Sequence, residues 1–214
     1  MNDPLVLSRK NALVRIVDDD EELCEGFCYL MEGAGWDVRC FFSAEAFLAE
    51  DDLSKPGCVI LDVEMTGMNG LALQQELGRL DEADLPIIFV TAFGSIEMAV
   101  SAMSAGALTF LEKPVAEEKL LSAVEDAVSR SLRAKEKKLA SAAKQSNWDT
   151  LTPREKEAAR LISEGLLNKQ IAAALGISIN TVQVHRASIY RKLGIHNAAK
   201  IAELLAGLAS ESKS

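Results

Sequence analysis

The first 130 residues alternate between short apolar runs and longer stretches with a helical hydrophobic pattern. The apolar runs have the length of strands buried on both faces of a parallel sheet, and they lie at residues 13–17, 36–42, 58–61, 87–90 and 109–111. After each run, apolar residues recur at helical spacing, as Leu23, Phe27 and Leu30 do after the first. Five strands alternating with five helices predict a doubly wound, parallel (βα)5 sheet.

From Thr152 the pattern changes to short helices separated by glycines. Thr152-Pro153-Arg154-Glu155 is a capping box with proline at the first helical position, which favours a helix start. Further helices are predicted from Leu167 to Leu175, from Ser178 to Leu193 and from about Ala198 to Leu208. A short helix, a glycine turn and a longer helix form the helix-turn-helix pattern. The fold class is therefore α/β plus all-α, a sheet domain followed by a four-helix domain.

The same patterns predict the domain boundaries. We expect the first domain at residues 11–130, a linker at residues 131–149 and the second domain at residues 150–208. The linker is rich in alanine, lysine and serine and has neither glycine nor proline. It therefore favours a continuation of the preceding helix over a flexible chain.

Composition narrows the class of protein. No apolar run reaches the roughly 18 residues of a membrane span and no signal peptide precedes the first strand, which predicts a cytoplasmic protein with no membrane partner. The four cysteines, at positions 24, 28, 40 and 58, lie in or beside apolar patterns without a CxxC pair or a nearby histidine. They are interpreted as small buried apolar residues, with redox sensing by one of them as the alternative.

The net charge of −9 is unevenly distributed. Residues 1–129 contain 8 Lys or Arg against 25 Asp or Glu, a net charge of −17, whereas residues 130–149 and 150–214 each carry a net charge of +4. An acidic first part and a basic second part are typical of a chain whose second domain binds nucleic acid. A solvated charged surface is the alternative, which charge by itself does not exclude.

Four of the predicted strands end in a reactive polar residue. The first runs into Asp18 and Asp19, the third into Asp62, the fourth into Thr91 and the fifth into Lys113. In a sheet with the flavodoxin-like order 2-1-3-4-5, these residues share the crevice at the carboxyl ends of the strands, where open α/β sheets bind their ligands. Acids that end a strand, or that favour the N-terminus of the next helix, are the alternative.

Three carboxylates in one crevice repel each other unless a cation joins them. Oxygen-only ligands suit Mg²⁺, with Mn²⁺ as a substitute, and Mg²⁺ typically takes one or two carboxylates together with a phosphoryl oxygen. A carboxylate can form an acyl phosphate while a metal and a lysine ammonium neutralise the transferred group. The sequence therefore predicts phosphorylation of Asp62, with Asp18, Asp19 and Asp62 as metal ligands.

These residues give the first domain a resemblance to the receiver domain of bacterial two-component response regulators. The resemblance covers about residues 11–130 and is carried by Val17-Asp18-Asp19, Leu61-Asp62, Gly67-Met68-Asn69-Gly70, Thr91-Ala92, Gly106-Ala107 and Lys113-Pro114. It implies a Mg²⁺ site on the acidic pair and phosphoryl transfer from a histidine kinase to Asp62. It also implies a response by Thr91 and Lys113, with Phe110 as the switch aromatic that turns inward.

One position departs from the family pattern. Receiver domains usually have proline where this chain has Thr66. The loop after Asp62 is therefore expected to be less rigid, with consequences for the lifetime of the phosphoryl group.

The predicted third helix of the second domain has two different faces. Val182, Ile189 and Leu193 fall on one side and are expected to face the core. The opposite side carries residues suited to a major groove, namely Asn180, Gln183, Val184, Ala187 and Arg191. In a major groove, glutamine can pair with adenine, and small apolar side chains can contact a thymine methyl. Lys169, Arg191 and Lys192 suit phosphates. A helical bundle that binds protein is the alternative.

This half resembles the LuxR-type DNA-binding domain over residues 150–208. The matching segments include Leu151-Thr152-Pro153-Arg154-Glu155, Asn168-Lys169, Leu175-Gly176-Ile177-Ser178, Thr181-Val182, Val184-His185 and Lys192-Leu193-Gly194. The resemblance implies base contacts by Gln183, Val184 and Ala187. Thr181 is a further expected DNA contact, while His185 either touches a phosphate or packs inside the domain. Some relatives carry lysine at positions 183 and 187, so their operator sequence does not transfer.

Together the halves resemble a response regulator of the FixJ/NarL class, a transcription factor controlled by phosphorylation. The resemblance implies a sensor histidine kinase, a double-stranded DNA operator and RNA polymerase as partners. Phosphorylation is expected to cause homodimerisation through the fourth helix, the fifth strand and the fifth helix, around Ile96, Val100, Met103 and Glu112. A dimer would present two recognition helices to paired half-sites.

Two other functions fit parts of the sequence. Asp62-Val63-Glu64-Met65-Thr66 comes close to the DxDxT signature of haloacid-dehalogenase-type phosphatases, although its second acid is glutamate and another acidic strand precedes it. A phosphorylation-gated adaptor that binds protein is the second. We prefer the interpretation that the protein is not an enzyme. The chain is expected to accept a phosphoryl group on its own Asp62, with at most slow autodephosphorylation.

Overall fold

The computed structural model describes residues 9–80, 85–92 and 94–211. The chain divides into two units, Met1–Glu136 and Lys137–Ser214. In the part that is described, no helix is both long enough and apolar enough to cross a membrane.

The first unit contains the predicted five-stranded sheet. Its strands are β1 Leu13–Val17, β2 Asp37–Phe41, β3 Gly57–Leu61, β4 Ile87–Thr91 and β5 Thr109–Glu112. All neighbouring strands are parallel and lie in the order β2-β1-β3-β4-β5. The α/β fold class is confirmed, and the strand order reverses between β1 and β3.

Helices alternate with these strands. They are α1 Glu21–Gly33, α2 Ala44–Glu50, α3 Gly70–Arg79, α4 Ile96–Ser104 and α5 Glu117–Asp149. The first four begin at side chains that accept a backbone N–H: Asp20, Ser43, Asn69 and Ser95. Helix α5 runs on through residues 131–149, the stretch expected to link the domains, and no glycine or proline interrupts it there.

All five residues of β3 are buried, because helices cover both faces of the sheet. Ile60 belongs to a hydrophobic layer with Ile16 of β1 and Val124 of α5. The next residue, Leu61, belongs to the opposite layer with Leu73 of α3. Successive side chains of a strand point to opposite faces, so one continuous apolar run serves both layers.

The cysteines differ from the sequence-based interpretation. Cys24 and Cys58 are buried free thiols, as expected. Cys28 of α1 and Cys40 of β2 are half-buried and joined by a disulfide bond, so that part of the interpretation is wrong. Packing of α1 against β2 makes these two residues neighbours although they are 12 positions apart. Burial raises the pKa of Cys24 and Cys58 to about 12, which keeps both thiols protonated and unreactive.

We expect unfolded, non-reduced protein to present two titratable thiols, and reduced protein to present four. The measurement is thiol titration in denaturant, with and without prior reduction. Replacing Cys28 by serine should raise the number of thiols in the non-reduced protein, because Cys40 loses its partner. Cys58→Ser is the matched control and should lower that number. Four thiols before reduction would contradict the pairing.

The second unit contains the predicted all-α domain. Its helices are α6 Pro153–Ser163, α7 Asn168–Leu175, α8 Ile179–Leu193 and α9 Ala198–Glu211. Thr152 and Glu155 form the capping box of α6. Gly176 and Gly194 end α7 and α8 in the left-handed conformation that glycine adopts without strain. The apolar faces meet in a core that includes Ile162, Ile171, Val182, Ile189 and Ile201.

Candidate functional site

Two carboxylates and a lysine meet at the carboxyl edge of the sheet. Val17 and Leu61 are paired in register on β1 and β3, so the residues that follow them, Asp18 and Asp62, leave the sheet side by side. Lys113 comes directly after β5 and extends its ammonium to both acids, 2.7 Å from Oδ2 of Asp18 and 2.9 Å from Oδ1 of Asp62. The parallel sheet therefore assembles one charged cluster from residues that are far apart in sequence.

Burial makes the charges of this cluster strongly interdependent. Asp18 is 4% exposed and Asp62 is 5% exposed. Loss of water raises the pKa of Asp62, although its hydrogen bond and charge interaction with Lys113 act in the opposite direction. Burial also opposes the charged form of Lys113, but its hydrogen bonds to Asp18 and Asp62 outweigh this effect and raise its pKa. Asp62 is thus a poorly solvated carboxylate that faces the ammonium of Lys113.

Backbone contacts orient the Asp62 carboxylate. The N–H of Glu64 donates to Oδ2 of Asp62 over 2.6 Å, which leaves Oδ1 facing Lys113. The chain then turns back so closely that a Cβ on Gly70 would lie 2.0 Å from the carbonyl oxygen of Asp62. Only glycine fits where α3 begins, and this requirement explains one of the glycines of the Gly67-Met68-Asn69-Gly70 motif.

Asp19 lies outside this cluster and bonds to the loop after β3. Its Oδ2 accepts two hydrogen bonds from Thr66, one from the backbone N–H at 2.7 Å and one from the hydroxyl at 2.8 Å. The backbone hydrogen bond contributes most to lowering the pKa of Asp19, followed by the bond from the hydroxyl. The sequence analysis singled out Thr66 as a departure from the usual proline, but it missed this partner. The signal was available, since threonine has two donors where proline has none.

The donor chemistry at this edge fits a hard divalent cation. Asp18 and Asp62 offer carboxylate oxygens, and Mg²⁺ is commonly held by one or two carboxylates. The three-carboxylate cluster expected from the sequence is nevertheless not formed. Within residues 9–80, 85–92 and 94–211, no three acidic, histidine or cysteine side chains are arranged to hold a metal ion. The difference lies in Asp19, which Thr66 binds, and in Lys113, whose ammonium joins Asp18 to Asp62.

The two predicted switch residues lie on β4 and β5. Thr91 is the last residue of β4 and is 1% exposed. Phe110 of β5 is half-buried, with its ring centre 5.9 Å from that of Phe89. The ring also fills the space beside Gly94, where an added Cβ would lie 2.8 Å from Cε1 of Phe110. The rotation of Phe110 implied by the family resemblance stays a prediction.

Helix α4 carries large apolar side chains that face solvent. Ile96 is 85% exposed, and Val100 and Met103 are 60% and 47% exposed. Their spacing places them on one face of the helix, and Glu112 at the end of β5 is also exposed. These are the residues expected to form the dimer face.

Helix α8 of the second unit has the predicted buried and exposed sides. Val182, Ile189 and Leu193 are buried in the core. The other side is open to solvent and includes Asn180, Gln183, Val184, Ala187 and Arg191. Val184 is 67% exposed. This surface can enter a major groove, where its side chains would meet base edges.

A buried glutamate positions this helix. Glu155 of α6 is 5% exposed and accepts hydrogen bonds from Ser188 and Lys192 of α8, each at 2.6 Å. Burial acts to raise the pKa of Glu155, but these two bonds and those of the capping box with Thr152 outweigh it and bring the pKa to about 2. The capping box was predicted from the sequence, whereas its connection to α8 was not.

The remaining predicted DNA contacts have different surroundings. Lys169 is exposed at the start of α7, and Thr181 is exposed but bonds to the capping residue Ser178. His185 is half-buried. The ammonium of Lys192 lies 2.6 Å from Oε2 of the buried Glu155 while its side chain stays 29% exposed, so its contact with a phosphate stays a prediction.

Arg186 is a basic residue of α8 that sequence analysis did not select. Its guanidinium donates to Asn168 of α7 at 3.0 Å and to the hydroxyl of Tyr190 at 2.9 Å. It therefore ties the two helices of the helix-turn-helix together. Residue spacing carried no signal for this contact, because the partner lies on another helix.

Comparison with known proteins places both units in described families. The model of the response regulator receiver domain matches residues 14–125, and the model of the LuxR family of bacterial regulatory proteins matches residues 149–205. Response regulator protein TodT of Pseudomonas putida is 39% identical over 189 residues, covering 88% of this chain and 83% of that protein. The tetrathionate response regulatory protein TtrR of Salmonella typhimurium is 35% identical over 194 residues, covering 91% and 90%.

Solved structures agree with these matches. Response regulator StyR has a TM-score of 0.86 and 38% identity, over 92% of this chain and 98% of that one. Full-length FixJ from B. japonicum has a TM-score of 0.55 and 29% identity, over 93% and 98%.

The fold and the charged crevice define a receiver-type domain joined in one chain to a helix-turn-helix domain. With the family matches, the protein belongs to the bacterial response regulators that combine a receiver domain with a LuxR-type DNA-binding domain. It is a transcriptional regulator of two-component signalling, a class that works with a kinase and with DNA. Membership favours this interpretation over the phosphohydrolase and the adaptor.

Proposed function

We propose that this response regulator accepts a phosphoryl group on Asp62 from a sensor histidine kinase, and that phosphorylation promotes homodimerisation and operator binding. The observation that carries the proposal is the buried Asp62 carboxylate at the end of β3, with the Lys113 ammonium 2.9 Å away. The domains that perform these steps are residues 11–130 for the receiver and residues 150–208 for DNA binding, with residues 131–149 between them.

The transfer itself needs little from the protein beyond placement and charge. An oxygen of Asp62 attacks phosphorus, the bond from phosphorus to the donor's histidine nitrogen breaks, and that nitrogen keeps the electron pair. Lys113 stands beside the carboxylate that receives the negatively charged phosphoryl group, so its ammonium would stabilise both the transferring group and the acyl phosphate. Asp18 and Asp62 would hold Mg²⁺, or Mn²⁺, with Asp19 as a third ligand. The ion would supply further charge neutralisation at the phosphoryl oxygens.

This step converts Asp62 to an acyl phosphate, and only hydrolysis of that bond regenerates the carboxylate. The protein is therefore a phosphoryl acceptor with at most slow autodephosphorylation. The alternative of a phosphohydrolase would need Glu64 to act on the leaving group. The Glu64 side chain is exposed, and its backbone N–H, rather than its carboxylate, contacts Asp62. Turnover of small phosphate esters is not expected.

Phosphorylation would change the conformation of Thr91 and Phe110. A phosphoryl group on Asp62 would attract the Thr91 hydroxyl, and Phe110 would follow inward. The adjacent face of α4 offers Ile96, Val100 and Met103 in contact with water. Removing exposed apolar side chains from water favours association. A second copy of this chain is therefore the proposed occupant of the face formed by α4, β5 and α5.

A dimer would place two copies of α8 on a duplex. Gln183, Val184 and Ala187 would meet base edges, and Asn180 and Thr181 lie next to them on the exposed side. Arg191 and Lys169 would bind phosphates. Because the proposed partner is DNA, the proposed place of action is the cytoplasm.

The test of this proposal uses the full chain, with acetyl phosphate as the phosphoryl donor. Duplexes are first selected from a random library with phosphorylated protein. Sedimentation and DNA affinity are then compared with and without acetyl phosphate and Mg²⁺. We expect phosphorylated protein to sediment as a dimer and to bind the selected duplex more tightly. A phosphorylated monomer with unchanged DNA affinity would overturn the proposal.

Substitutions at Arg191 and Gln183 distinguish phosphate contacts from base contacts. Arg191→Ala should weaken binding to all duplexes alike and reduce the slope of log affinity against log salt by about 1. Gln183→Ala should cost about 1–3 kcal/mol on the selected duplex and little on unrelated DNA. Arg154→Ala, which removes an exposed arginine of α6, is the matched control. Equal salt slopes for Arg191→Ala and Arg154→Ala would argue against phosphate contact by Arg191.

A further inference from the structure

Asp19, one of the acids at the carboxyl ends of the strands, is bound to the loop after β3 through Thr66. Oδ2 of Asp19 accepts both the backbone N–H and the hydroxyl of Thr66, at 2.7 and 2.8 Å. Both donors come from one residue and converge on one oxygen. The contact therefore fixes the direction of the carboxylate more firmly than a single hydrogen bond would.

In this loop, backbone N–H groups donate hydrogen bonds to acidic side chains from other parts of the chain. Two residues further along, the N–H of Met68 donates to Oε1 of Glu45 at 2.9 Å. Asn69 then accepts the N–H of Ala72 and starts α3. The segment between Asp62 and α3 is thus fastened to Asp19 on one side and to Glu45 on the other.

The contact with Thr66 limits how Asp19 can bind a divalent cation. The two hydrogen bonds from Thr66 occupy Oδ2 and fix the direction of the carboxylate, and among the described residues it does not lie with two other acids in a metal-binding arrangement. Asp18 and Asp62 are joined by Lys113 and would supply two carboxylates, whereas Asp19 would join them only after leaving Thr66. The loop contact and metal coordination by Asp19 are therefore competing states.

We propose that Thr66 is a positioning residue that withholds Asp19 from the divalent cation and so lowers the affinity of the receiver domain for that cation. This inference rests on the proposed function, in which a cation assists phosphoryl transfer to Asp62. If Thr66 lowers the affinity for the cation, phosphorylation of the unaltered receiver domain should need a higher concentration of Mg²⁺. A variant that lacks the two donors of Thr66 should need less.

The test measures Mn²⁺ binding directly, from the electron paramagnetic resonance signal of free Mn²⁺ titrated with the full chain. Thr66→Val removes the hydroxyl and keeps the N–H, while Thr66→Pro removes both donors. We expect the affinity for Mn²⁺ to rise about threefold in Thr66→Val and about tenfold in Thr66→Pro, from the usual contribution of one and two hydrogen bonds. Thr66→Ser keeps both donors and should match the unaltered protein.

Asp19→Asn provides the second arm of a double-mutant comparison. If Thr66 acts through Asp19, Thr66→Val should have no effect on Mn²⁺ affinity in the Asp19→Asn background. Equal affinities for the unaltered protein, Thr66→Val and Thr66→Pro would overturn the inference. An effect that persists without the Asp19 carboxylate, or no detectable Mn²⁺ binding in any variant, would overturn it as well.

Phosphoryl uptake from acetyl phosphate, followed by intact mass, keeps this inference distinct from the proposed function. Uptake at Asp62 combined with equal Mn²⁺ affinities would leave the proposed function standing and refute the role of Thr66. Tighter Mn²⁺ binding by Thr66→Val without uptake at any Mg²⁺ concentration would support the role of Thr66 and refute phosphorylation of Asp62.

Discussion

Replacing Asp62 by asparagine is expected to abolish phosphoryl uptake completely. An amide has the shape of the carboxylate but lacks the nucleophilic oxygen that would form the acyl phosphate. The unaltered chain, treated with acetyl phosphate and Mg²⁺, should gain the mass of a single phosphoryl group, and Asp62→Asn should gain none. Intact mass spectrometry of the two proteins under identical conditions is the measurement.

The Asp62→Asn variant is expected to fold. Burial raises the pKa of Asp62, so its ionised form is not a source of stability by itself, and Lys113 keeps Asp18 as a partner. Asp126→Asn is the matched control, because Asp126 is an exposed acid of the same unit and should leave uptake unchanged. Uptake by Asp62→Asn would move the acceptor to another residue. No uptake by the unaltered chain with Mg²⁺ present would refute the receiver chemistry.

Replacing Glu155 by alanine is expected to destabilise the second unit by about 3 kcal/mol at neutral pH. The pKa of Glu155 lies at about 2 against an ordinary value of 4.5, and each pKa unit corresponds to about 1.4 kcal/mol. The variant loses the bonds to Ser188 and Lys192, and the Lys192 ammonium is left without its buried partner. Because these bonds hold α8 against α6, the affinity for DNA should fall together with stability.

The effect of Glu155 should depend on pH in a defined direction. A depressed pKa means that the folded state binds its proton less readily than the unfolded state. The contribution is therefore complete above about pH 4.5 and is lost as the pH falls toward 2. The difference in unfolding free energy between the unaltered protein and Glu155→Ala should shrink over that range.

Urea unfolding of the full chain can isolate this effect. The chain has two tryptophans, and Trp148 lies in the core of the second unit. In a Trp36→Phe background, fluorescence reports on Trp148 alone. Glu157→Ala is the matched control, because Glu157 lies two positions away on α6 and is exposed. A loss of stability as large for Glu157→Ala as for Glu155→Ala would show that the buried network is not the cause.

Much of the fold was predictable because it depends on local patterns. The apolar runs identified all five strands, as Cys58 to Leu61 did for β3, since burial on both faces leaves a continuous hydrophobic signature. The capping box at Thr152 and the glycines after α7 and α8 located α6, α7 and α8 within a residue or two. These signals lie within a few residues of the feature that they predict.

The candidate site was predictable only in part. The positions of Asp18, Asp62 and Lys113 at strand ends followed from the alternation of strands and helices. The partner of Asp19 did not, because Thr66 lies 47 residues away and its side chain meets Asp19 only across the crevice. The disulfide between Cys28 and Cys40 escaped prediction for the same reason, since it requires the packing of α1 on β2.

By itself, the sequence determined the order of elements, the division into an α/β and an all-α domain, and the kinds of residue at each strand end. Tertiary structure alone decided which oxygen of Asp62 faces Lys113, that Asp19 binds Thr66, and that Lys192 pairs with Glu155. The physical reason is that strand and helix formation depend on neighbours along the chain, which the sequence contains directly. Side-chain partners depend on distances between separate elements, and these distances exist only once the sheet and the helices have packed.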